Sequence, residues 1–292
     1  MLGITGSTGL TGRFAIDALR EQGYVGMVRC LTRPASMHCD VDAGLKIERY
    51  SGDCRDVASL VGFLAGVDNL VHLAGIRFAE NVISACLSGV SRVTFINTTG
   101  MYSRYSKYAA EYMRIEEAIK TSGLRYTIVR PTMIYGNHLD HNIHKLVKVI
   151  NRLPVIPVVG DGRSLMQPIY AKDLADVVVR AALDSSTIHK EYNVAGESPI
   201  KYRDLLNEIC MALGKRRPFV HIPNWLAMVA GYLGEVVPNG LVNVEKIQRL
   251  REDKHIDYSQ ARDELGFSPR SFHEGIVLEV DSLRRAGVIP RG

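Results

Sequence analysis

The chain has 292 residues, of which 46% are hydrophobic and 23% charged, a balance typical of folded globular proteins. Its formal net charge of +5 suits an anionic small molecule, and its basic residues are too scattered to predict nucleic-acid binding. The length favours one large domain with a smaller second one.

Nothing in the composition indicates an oxidising compartment or a membrane. The five cysteines, odd in number and without C-x-x-C spacing, predict reduced thiols. No basic segment followed by a long apolar run starts the chain, so no secretory signal is expected. The least polar later stretch, residues 225–237, is too short to span a bilayer and is interpreted as a core or interdomain helix rather than a membrane-lying one. We therefore expect a cytoplasmic protein with no membrane and no nucleic-acid partner.

Strand and helix patterns alternate over the first two-thirds of the chain. Apolar runs predict strands at residues 2–5, 26–33, 45–50, 69–75, 92–97 and 126–131. Amphipathic spacing predicts helices at residues 10–22, 56–67, 78–88 and 105–122. This alternation indicates the α/β class, with a doubly wound parallel sheet covered by helices on both faces.

The alternation stops after Gly136. Helices are predicted at residues 141–152 and 170–184, a strand and turn at 192–196, and mostly helix beyond 199. We predict a larger α/β domain from residues 1–136 with about 165–196, and a smaller, mostly helical domain from about 137–164 with 197–292.

The turn between the first strand and the first helix has the sequence GSTGLTG. Gly6 permits a tight turn, Gly9 lets the backbone approach a phosphate, and Gly12 lets the helix pack on the strand. The N–H groups and dipole at the helix start favour a pyrophosphate, which indicates a Rossmann dinucleotide site; a tight turn without a ligand is the alternative. The predicted cofactor-binding residues here are Gly6, Ser7, Thr8, Gly9, Leu10, Thr11 and Gly12.

A cation follows the second predicted strand. A carboxylate at this position would accept hydrogen bonds from the adenosine ribose and favour NAD. The chain instead has Arg33, whose guanidinium could pair with the 2′-phosphate of NADP. The sequence therefore favours NADP, with NAD as second choice, and a surface loop cation is the other interpretation of Arg33.

Several segments occur in an order and spacing that are jointly specific: GSTGLTG, GDCRD (52–56), NLVHLAG (69–75), RVTFINTTGMYS (92–103), YTIVRPTMIYG (126–136), VVGDGRSLMQPIYAKDLADVV (158–178) and DYSQARDELGFSPRSFHEGI (257–276). Through them the chain resembles the extended or atypical short-chain dehydrogenases/reductases, the family of NAD-dependent epimerases and dehydratases. The resemblance covers nearly the whole length. It implies a dinucleotide-binding Rossmann domain and a C-terminal domain that covers a sugar or other substrate.

The resemblance also implies contacts along the whole cofactor. It places Asp53 and Cys54 at the adenine, Leu73, Ala74 and Gly75 along the ribose and diphosphate, and Pro131, Thr132 and Met133 at the nicotinamide carboxamide. Asp53 and residues 73–75 follow predicted strand ends, and ligands of a doubly wound sheet bind along that edge. A turn or helix-capping role for Asp53 is an equal alternative.

The acid–base pair that the resemblance implies is incomplete. It consists of a Tyr and, four residues later on the same helix face, a Lys that lowers the pKa of the phenol. A Ser or Thr at the preceding strand end holds the reacting oxygen. The Tyr position falls on Tyr108 and the Ser/Thr position on Thr98, with Thr99 a close second. The Lys position falls on Tyr112, and no Tyr-x-x-x-Lys occurs between residues 95 and 125.

Another cation could replace the missing lysine. Arg104 lies one helical turn before Tyr108 and could supply positive charge from the same face. Lys107 is adjacent to Tyr108, but neighbours in a helix point about 100° apart. Alternatively, Tyr105, Tyr108 and Tyr112 form an aromatic stripe packed against the sheet.

The segment after the predicted nicotinamide strand leads into the second domain and is interpreted as facing the substrate. Asp140 and Asn142 are its candidate contacts, and Arg163 could meet a substrate phosphate, with a plain turn as the alternative. The same segment contains three histidines spaced three apart, His138, His141 and His144, which could share a metal if the segment were helical. Helix is predicted only from about residue 141, so no metal site is predicted.

Together these features predict an NADP-dependent oxidoreductase or epimerase-like enzyme acting on a nucleotide-activated sugar or similar polyol. Hydride would pass between substrate and nicotinamide while Tyr108 exchanges the proton and Thr98 holds the oxygen. The rival is a dinucleotide-binding protein without catalysis, either a sensor of the NADPH/NADP ratio or a subunit of an assembly. A homodimer through the 105–122 helix is compatible with the resemblance.

Overall fold

The computed structural model describes residues 1–34, 44–86, 89–140, 142–236 and 244–290. Its strands are β1 (Leu2–Thr5), β2 (Met27–Thr32), β3 (Lys46–Ser51), β4 (Asn69–His72), β5 (Arg92–Ile96), β6 (Tyr126–Pro131), β7 (Ile134–Tyr135), β8 (Ile156–Val159), β9 (Leu165–Met166), β10 (Ile169–Tyr170), β11 (Lys190–Val194), β12 (Ile200–Lys201) and β13 (Phe219–Ile222). Its helices are α1 (Leu10–Glu21), α2 (Val57–Leu64), α3 (Ala79–Cys86), α4 (Ala109–Thr121), α5 (Ile143–Arg152), α6 (Ala171–Leu183), α7 (Tyr202–Ala212), α8 (Asn224–Val236), α9 (Val244–Leu250), α10 (Ser259–Leu265) and α11 (Phe272–Arg285).

Seven strands form one parallel sheet in the order β11-β6-β5-β4-β1-β2-β3. The chain runs outward from β1 to β3 and then returns to place β4 on the other side of β1. A ligand crevice opens at the carboxyl ends of the strands where the order reverses in this way. The predicted α/β class and doubly wound parallel sheet are confirmed.

Both faces of the sheet are covered by helices, which explains why inner strands such as β1 are buried along their whole length, whereas the edge strand β3 is partly polar. Leu19 of α1 and Val178 of α6 are fully buried on one face. Phe63 of α2 and Ile119 of α4 are fully buried on the other. Burying each such side chain contributes about 1.5–3 kcal/mol, so the two cores fix the sheet that carries the crevice.

A third apolar cluster lies in the mainly helical part of the chain. It contains Val147 of α5, Leu205 of α7 and Val280 of α11, all fully buried. The cluster is separate from the two cores of the sheet, as expected if a smaller domain packs around its own core. The residue bounds of the two domains stay a prediction.

The helix predicted at residues 105–122 starts later than expected, at Ala109. Residues 99–102 form a turn of 3₁₀ helix, and Glu252 binds Ser103 and Arg104 in the segment that follows. These contacts hold the segment away from the helical path. Tyr105 is exposed, so the aromatic stripe proposed for this helix is wrong at that position.

Two further findings concern the cysteines and the apolar segments. Cys30, Cys54, Cys86 and Cys210 are buried free thiols, as expected, and Cys39 lies outside the described residues. Within the described ranges, no helix has both the length and the apolar character needed to cross a bilayer.

Candidate functional site

The glycine-rich turn lies at the carboxyl end of β1, where the strand leads into α1. Gly6 has a φ of +77°, and a Cβ on it would stand 2.7 Å from the backbone nitrogen of Ala74. A Cβ on Gly12 would overlap the carbonyl oxygen of Gly6. Only glycine fits either position, as the motif predicted. Ser7 is buried below the turn, and the partly exposed members around it are Thr8, Leu10 and Thr11.

The amino end of α1 can accept an anion. Gly9 is its N-cap, is exposed and supplies no side chain to the N–H groups of the first turn. The first turn contains no acidic residue, and Arg13 folds back so that its Nε donates to the carbonyl oxygen of Thr8 at 3.1 Å. Uncapped N–H groups, the helix dipole and a neighbouring cation together favour a phosphate group here.

Two arginines and one aspartate occupy the ends of β2 and β3. Arg33 directly follows β2 and is exposed. Asp53 follows β3 and accepts hydrogen bonds from Arg55, with the shortest at 2.6 Å. Hydrogen bonds from Arg55, with a smaller contribution from the charge of Arg33, lower the pKa of Asp53 to about 2. The Asp53 carboxylate is therefore ionised, and the two arginines give this end of the sheet a net positive charge. Sequence reasoning did not identify Arg55. Cys54 is buried next to it, and burial raises the pKa of its thiol to about 11.

A buried histidine connects the turns after β1 and β4. Leu73 and Ala74 are partly buried, while Gly75 is exposed with a φ of +111°. His72 Nε2 lies 3.0 Å from the carbonyl oxygen of Gly75, and Nδ1 lies 2.7 Å from Thr5 Oγ1. Burial lowers the pKa of His72 to about 4, so the ring is neutral. A carbonyl only accepts, so Nε2 carries the proton and Nδ1 accepts from the hydroxyl. Sequence reasoning had not singled out His72.

The predicted nicotinamide end lies where β5 and β6 finish. Pro131 and Thr132 are buried and Met133 is partly buried. Thr99 Oγ1 donates to the carbonyl oxygen of Pro131 at 3.1 Å. Thr98 Oγ1 accepts the N–H of the residue two places later at 3.0 Å and caps the 3₁₀ turn. Among the described residues the Thr98 hydroxyl meets no acceptor, so its proton remains available to a substrate oxygen.

Tyr108 stands at the N-cap of α4, outside the helix, and is flanked by two cations. The guanidinium carbon of Arg77 lies 4.1 Å from the ring centroid, and Lys107 Nζ lies 5.0 Å from it. Hydrogen bonding to Arg77 and then to Lys107 lowers the pKa of the Tyr108 phenol. The charge expected from Arg104 thus comes from Arg77 and Lys107. The helical 100° argument against Lys107 does not hold because both residues precede the helix.

The second part of the chain reaches the turn after β5. Glu252 accepts hydrogen bonds from Ser103 Oγ at 2.6 Å and from the backbone nitrogen of Arg104 at 2.8 Å. Arg249, on α9, places Nη2 3.7 Å from the position of a Cβ on Gly100. Almost 150 positions separate the partners, and no local sequence pattern reports such contacts.

The three predicted substrate contacts have different surroundings. Asp140 is buried, and its carboxylate accepts the backbone N–H of Asn142 at 2.6 Å and that of His144 at 3.1 Å. Asn142 is exposed at the start of α5. Arg163 is exposed and lies 3.6 Å from Asp161 within a turn. The geometry gives Asp140 a helix-capping role and Arg163 a turn position, so their contacts with substrate stay predictions.

In the histidine-rich segment, residues 138–144, the described contacts are hydrogen bonds within the chain. In those ranges no group of three or more His, Cys, Asp or Glu side chains is arranged to hold a metal ion. His144 Nδ1 lies 3.3 Å from Asp140 Oδ1. His141 lies outside the described residues.

A family model described as NAD(P)H-binding matches residues 6–185, more than half of the chain. The matched range begins at the glycine-rich turn and contains the ends of β2 to β6. It therefore includes every residue predicted to contact a dinucleotide.

Similar proteins extend the comparison to the whole chain. An uncharacterised protein of Mycobacterium bovis is 26% identical over 271 residues, covering 92% of this chain, which spans 28% of that relative's length. A ceramide reductase of Caulobacter vibrioides is 25% identical over 317 residues, covering 100% of this chain and 96% of its own. The structure of UDP-glucose 4-epimerase with UDP-glucose from Thermotoga maritima has a TM-score of 0.74 at 17% identity, covering 98% of this chain and 99% of its own. The structural likeness extends the shared fold over both parts of the chain.

Proposed function

We propose a function from the premise that the chain belongs to the NAD(P)H-binding family. The proposed function is that of an NADP-dependent oxidoreductase or epimerase resembling the extended short-chain dehydrogenases/reductases. The observation that carries the proposal is the turn in which Gly6 and Gly12 leave no room for a side chain. This close packing brings the uncapped amino end of α1 to the sheet edge, where it would bind the cofactor diphosphate.

The charges at the adenosine end support NADP over NAD. The charge of Asp53 is neutralised by Arg55, so it does little to oppose a nearby phosphate. Arg33 then contributes an exposed positive charge directly after β2. A guanidinium in this place would pair with a 2′-phosphate, which NAD lacks.

The residues around the nicotinamide end support proton exchange. When bound, the nicotinamide ring would accept or donate hydride. Tyr108 exchanges a proton with the substrate oxygen, helped by Arg77 and Lys107, which favour its phenolate. Thr98 donates its hydroxyl proton in a hydrogen bond to the same oxygen. Arg77 and Lys107 thereby perform the electrostatic part of the role that a lysine at position 112 would have.

A nucleotide-activated sugar or similar polyol is the proposed substrate class. The solved epimerase of similar fold holds UDP-glucose, and its structure aligns with nearly the whole of this chain. Arg249 reaches from α9 toward Gly100, where it would meet an anionic substrate group. The rival function, cofactor binding without catalysis, is favoured by Tyr112 at the lysine position.

Cofactor titration followed by turnover assays tests the proposal. NADPH fluorescence should report binding to the purified chain, and binding of neither NADPH nor NADH at millimolar concentration would reject it. A panel of UDP-sugars and other polyols should then contain a substrate that is oxidised, reduced or epimerised. Tight NADPH binding with no turnover of any panel member would favour the rival.

The variant Tyr108→Phe separates catalysis from binding. It should abolish hydride transfer and leave NADPH affinity unchanged, because the phenol touches substrate. Tyr105→Phe is the matched control, since Tyr105 is exposed three positions earlier and should retain full activity. Undiminished turnover in Tyr108→Phe would reject the assignment.

A further inference from the structure

Helix α8 presents large apolar side chains to solvent. Trp225 is 69% exposed and Tyr232 is 60% exposed, and Leu226 and Val229 are exposed as well. Trp225, Val229 and Tyr232 are spaced by four and three residues, so they line one side of the helix. Of the two interpretations of this stretch, a core or an interdomain helix, the core helix is wrong for these residues.

The exposed surface continues from α8 onto its neighbours. A Cβ on Gly160, at the end of β8, would stand 2.9 Å from Asn224 Oδ1 at the start of α8. Strand β13 pairs with β8 so that Val220 lies opposite Pro157. We define the apolar face as the exposed apolar residues of β8, β13 and α8 together with two from the segment just before β8: Leu153, Val155, Pro157, Val220, Trp225, Leu226, Val229 and Tyr232. Eight exposed apolar side chains on neighbouring segments are characteristic of an interaction surface.

The charges of the segments that build the apolar face are positive, apart from Glu235 near the end of α8. Residues 142–160 and 209–234 contain no Asp or Glu, although the whole chain has 31 acidic and 36 basic residues. Each segment contributes three cations: Lys145, Lys148 and Arg152 in the first, and Lys215, Arg216 and Arg217 in the second. A second copy of the chain docked through the same face would bring like charges together, so self-association is disfavoured.

An anionic lipid surface matches both properties. Its headgroups attract the cations, and its interfacial region accepts apolar and amphipathic side chains, with Trp and Tyr preferring that depth. We infer that the apolar face docks on an anionic membrane surface with Trp225 among the lipid headgroups. This function goes beyond the proposed enzyme activity, does not depend on it, and differs from our expectation of no membrane partner.

The single tryptophan of the chain is a direct reporter of docking. Vesicles containing phosphatidylglycerol should shift its emission to the blue, and brominated lipids should quench it. The full chain should co-sediment with these vesicles at low salt and be released by high salt. Vesicles of phosphatidylcholine alone should bind it at least on the order of tenfold more weakly, because they lack the charge that attracts lysine and arginine.

Variants test the two parts of the surface separately. Leu226→Glu with Val229→Glu, and separately Arg216→Glu with Arg217→Glu, should each weaken vesicle binding on the order of tenfold or more. Val25→Glu is the control, because Val25 is 88% exposed in the loop between α1 and β2 and lies outside the apolar face. Circular dichroism establishes that each variant is folded.

Three results would overturn the inference. They are the absence of any emission shift and co-sedimentation with anionic vesicles, an equal loss of binding in Val25→Glu, and a stable dimer whose formation is blocked by the α8 substitutions. The quenching measurement uses the unmodified chain, so it decides the matter even if a variant fails to fold.

Discussion

Gly12 packs so closely against Gly6 that a single added methyl group has no space at the start of α1. We expect Gly12→Ala to lower the free energy of unfolding by about 2 kcal/mol, as overpacking does, and to abolish NADPH binding. Gly123→Ala is the control: no atom lies within 4 Å of the added Cβ, although Gly123 itself has a φ of +77°. It should cost about 1 kcal/mol of backbone strain and leave cofactor binding intact. Urea unfolding and NADPH titration measure both effects, and equal behaviour of the two variants would contradict the argument.

Arg33 decides cofactor preference if its guanidinium meets the 2′-phosphate. Arg33→Glu should weaken NADPH binding by about 10-fold to 100-fold, the loss expected for a charged hydrogen bond, and change NADH binding much less. Arg125→Glu is the matched control, because Arg125 is exposed immediately before β6, four strands away from β2 and at the amino end of its strand. Isothermal titration calorimetry with each cofactor provides the comparison. A similar loss of affinity for NADPH and NADH would show that Arg33 does not bind the 2′-phosphate.

Arg77 controls the ionisation of Tyr108. The cation favours the phenolate, so it holds the pKa of Tyr108 below the ordinary value of 10.0, and removing it should raise that pKa. In Arg77→Gln the alkaline rise of hydride transfer should therefore move to higher pH. Arg104→Gln should leave the profile in place, because Arg104 is not among the groups that shift this phenol. A pH–rate profile, or the absorbance of the phenolate without substrate, measures both variants. A shift in Arg104→Gln with none in Arg77→Gln would contradict the prediction.

At the scale of elements, a buried ion network holds α4 against the sheet. Glu116 on α4 accepts hydrogen bonds from Asn97 Nδ2 at 2.7 Å and from Arg130 Nε at 2.8 Å. Lys120 lies 3.2 Å from Glu116 and 2.6 Å from Glu191 of β11. Asn97 immediately precedes Thr98, so the network also positions the end of β5. Arg130 therefore has a structural role.

Removing the charge of Glu116 should be costly because Arg130 would remain buried without its main partner. We expect Glu116→Gln to lower the free energy of unfolding by about 3 kcal/mol. Glu117→Gln, the adjacent and exposed control, should change it by less than about 0.5 kcal/mol. Urea denaturation monitored by circular dichroism distinguishes the two variants. If Glu116→Gln changed the free energy of unfolding by less than about 1 kcal/mol, a cost on the order of that of surface substitutions, the network would not be needed for stability.

At the scale of the molecule, α11 brings the buried Glu279 beside Asp140. Burial first, and then the Asp140 carboxylate, raise the pKa of Glu279 to about 10 from an ordinary 4.5. Between those values the folded chain keeps a proton that the unfolded chain releases. The free energy of unfolding should therefore fall as pH rises through this window.

Glu279→Gln tests this coupling, because the amide is neutral at every pH. The variant should lose much of the decline in stability between pH 5 and pH 9, whereas Glu117→Gln should keep it. The free energy of unfolding from urea titrations at several pH values provides the measurement. An unchanged slope in Glu279→Gln would show that Glu279 is ionised in the folded protein.

The sequence by itself determined the sheet, its flanking helices and the glycine turn, because each depends on residues that are close along the chain. Apolar periodicity reports a strand or a helix directly, and the φ of +77° at Gly6 and the contact of Gly12 with Gly6 are local to the turn. Tertiary structure alone brought Arg77 to Tyr108 and Glu252 to Ser103, and it buried Asp140 as a helix cap. It also left the apolar side of α8 exposed, since periodicity identifies a face but not what covers it. Electrostatics and burial depend on distances in space, and chain neighbours do not report those distances.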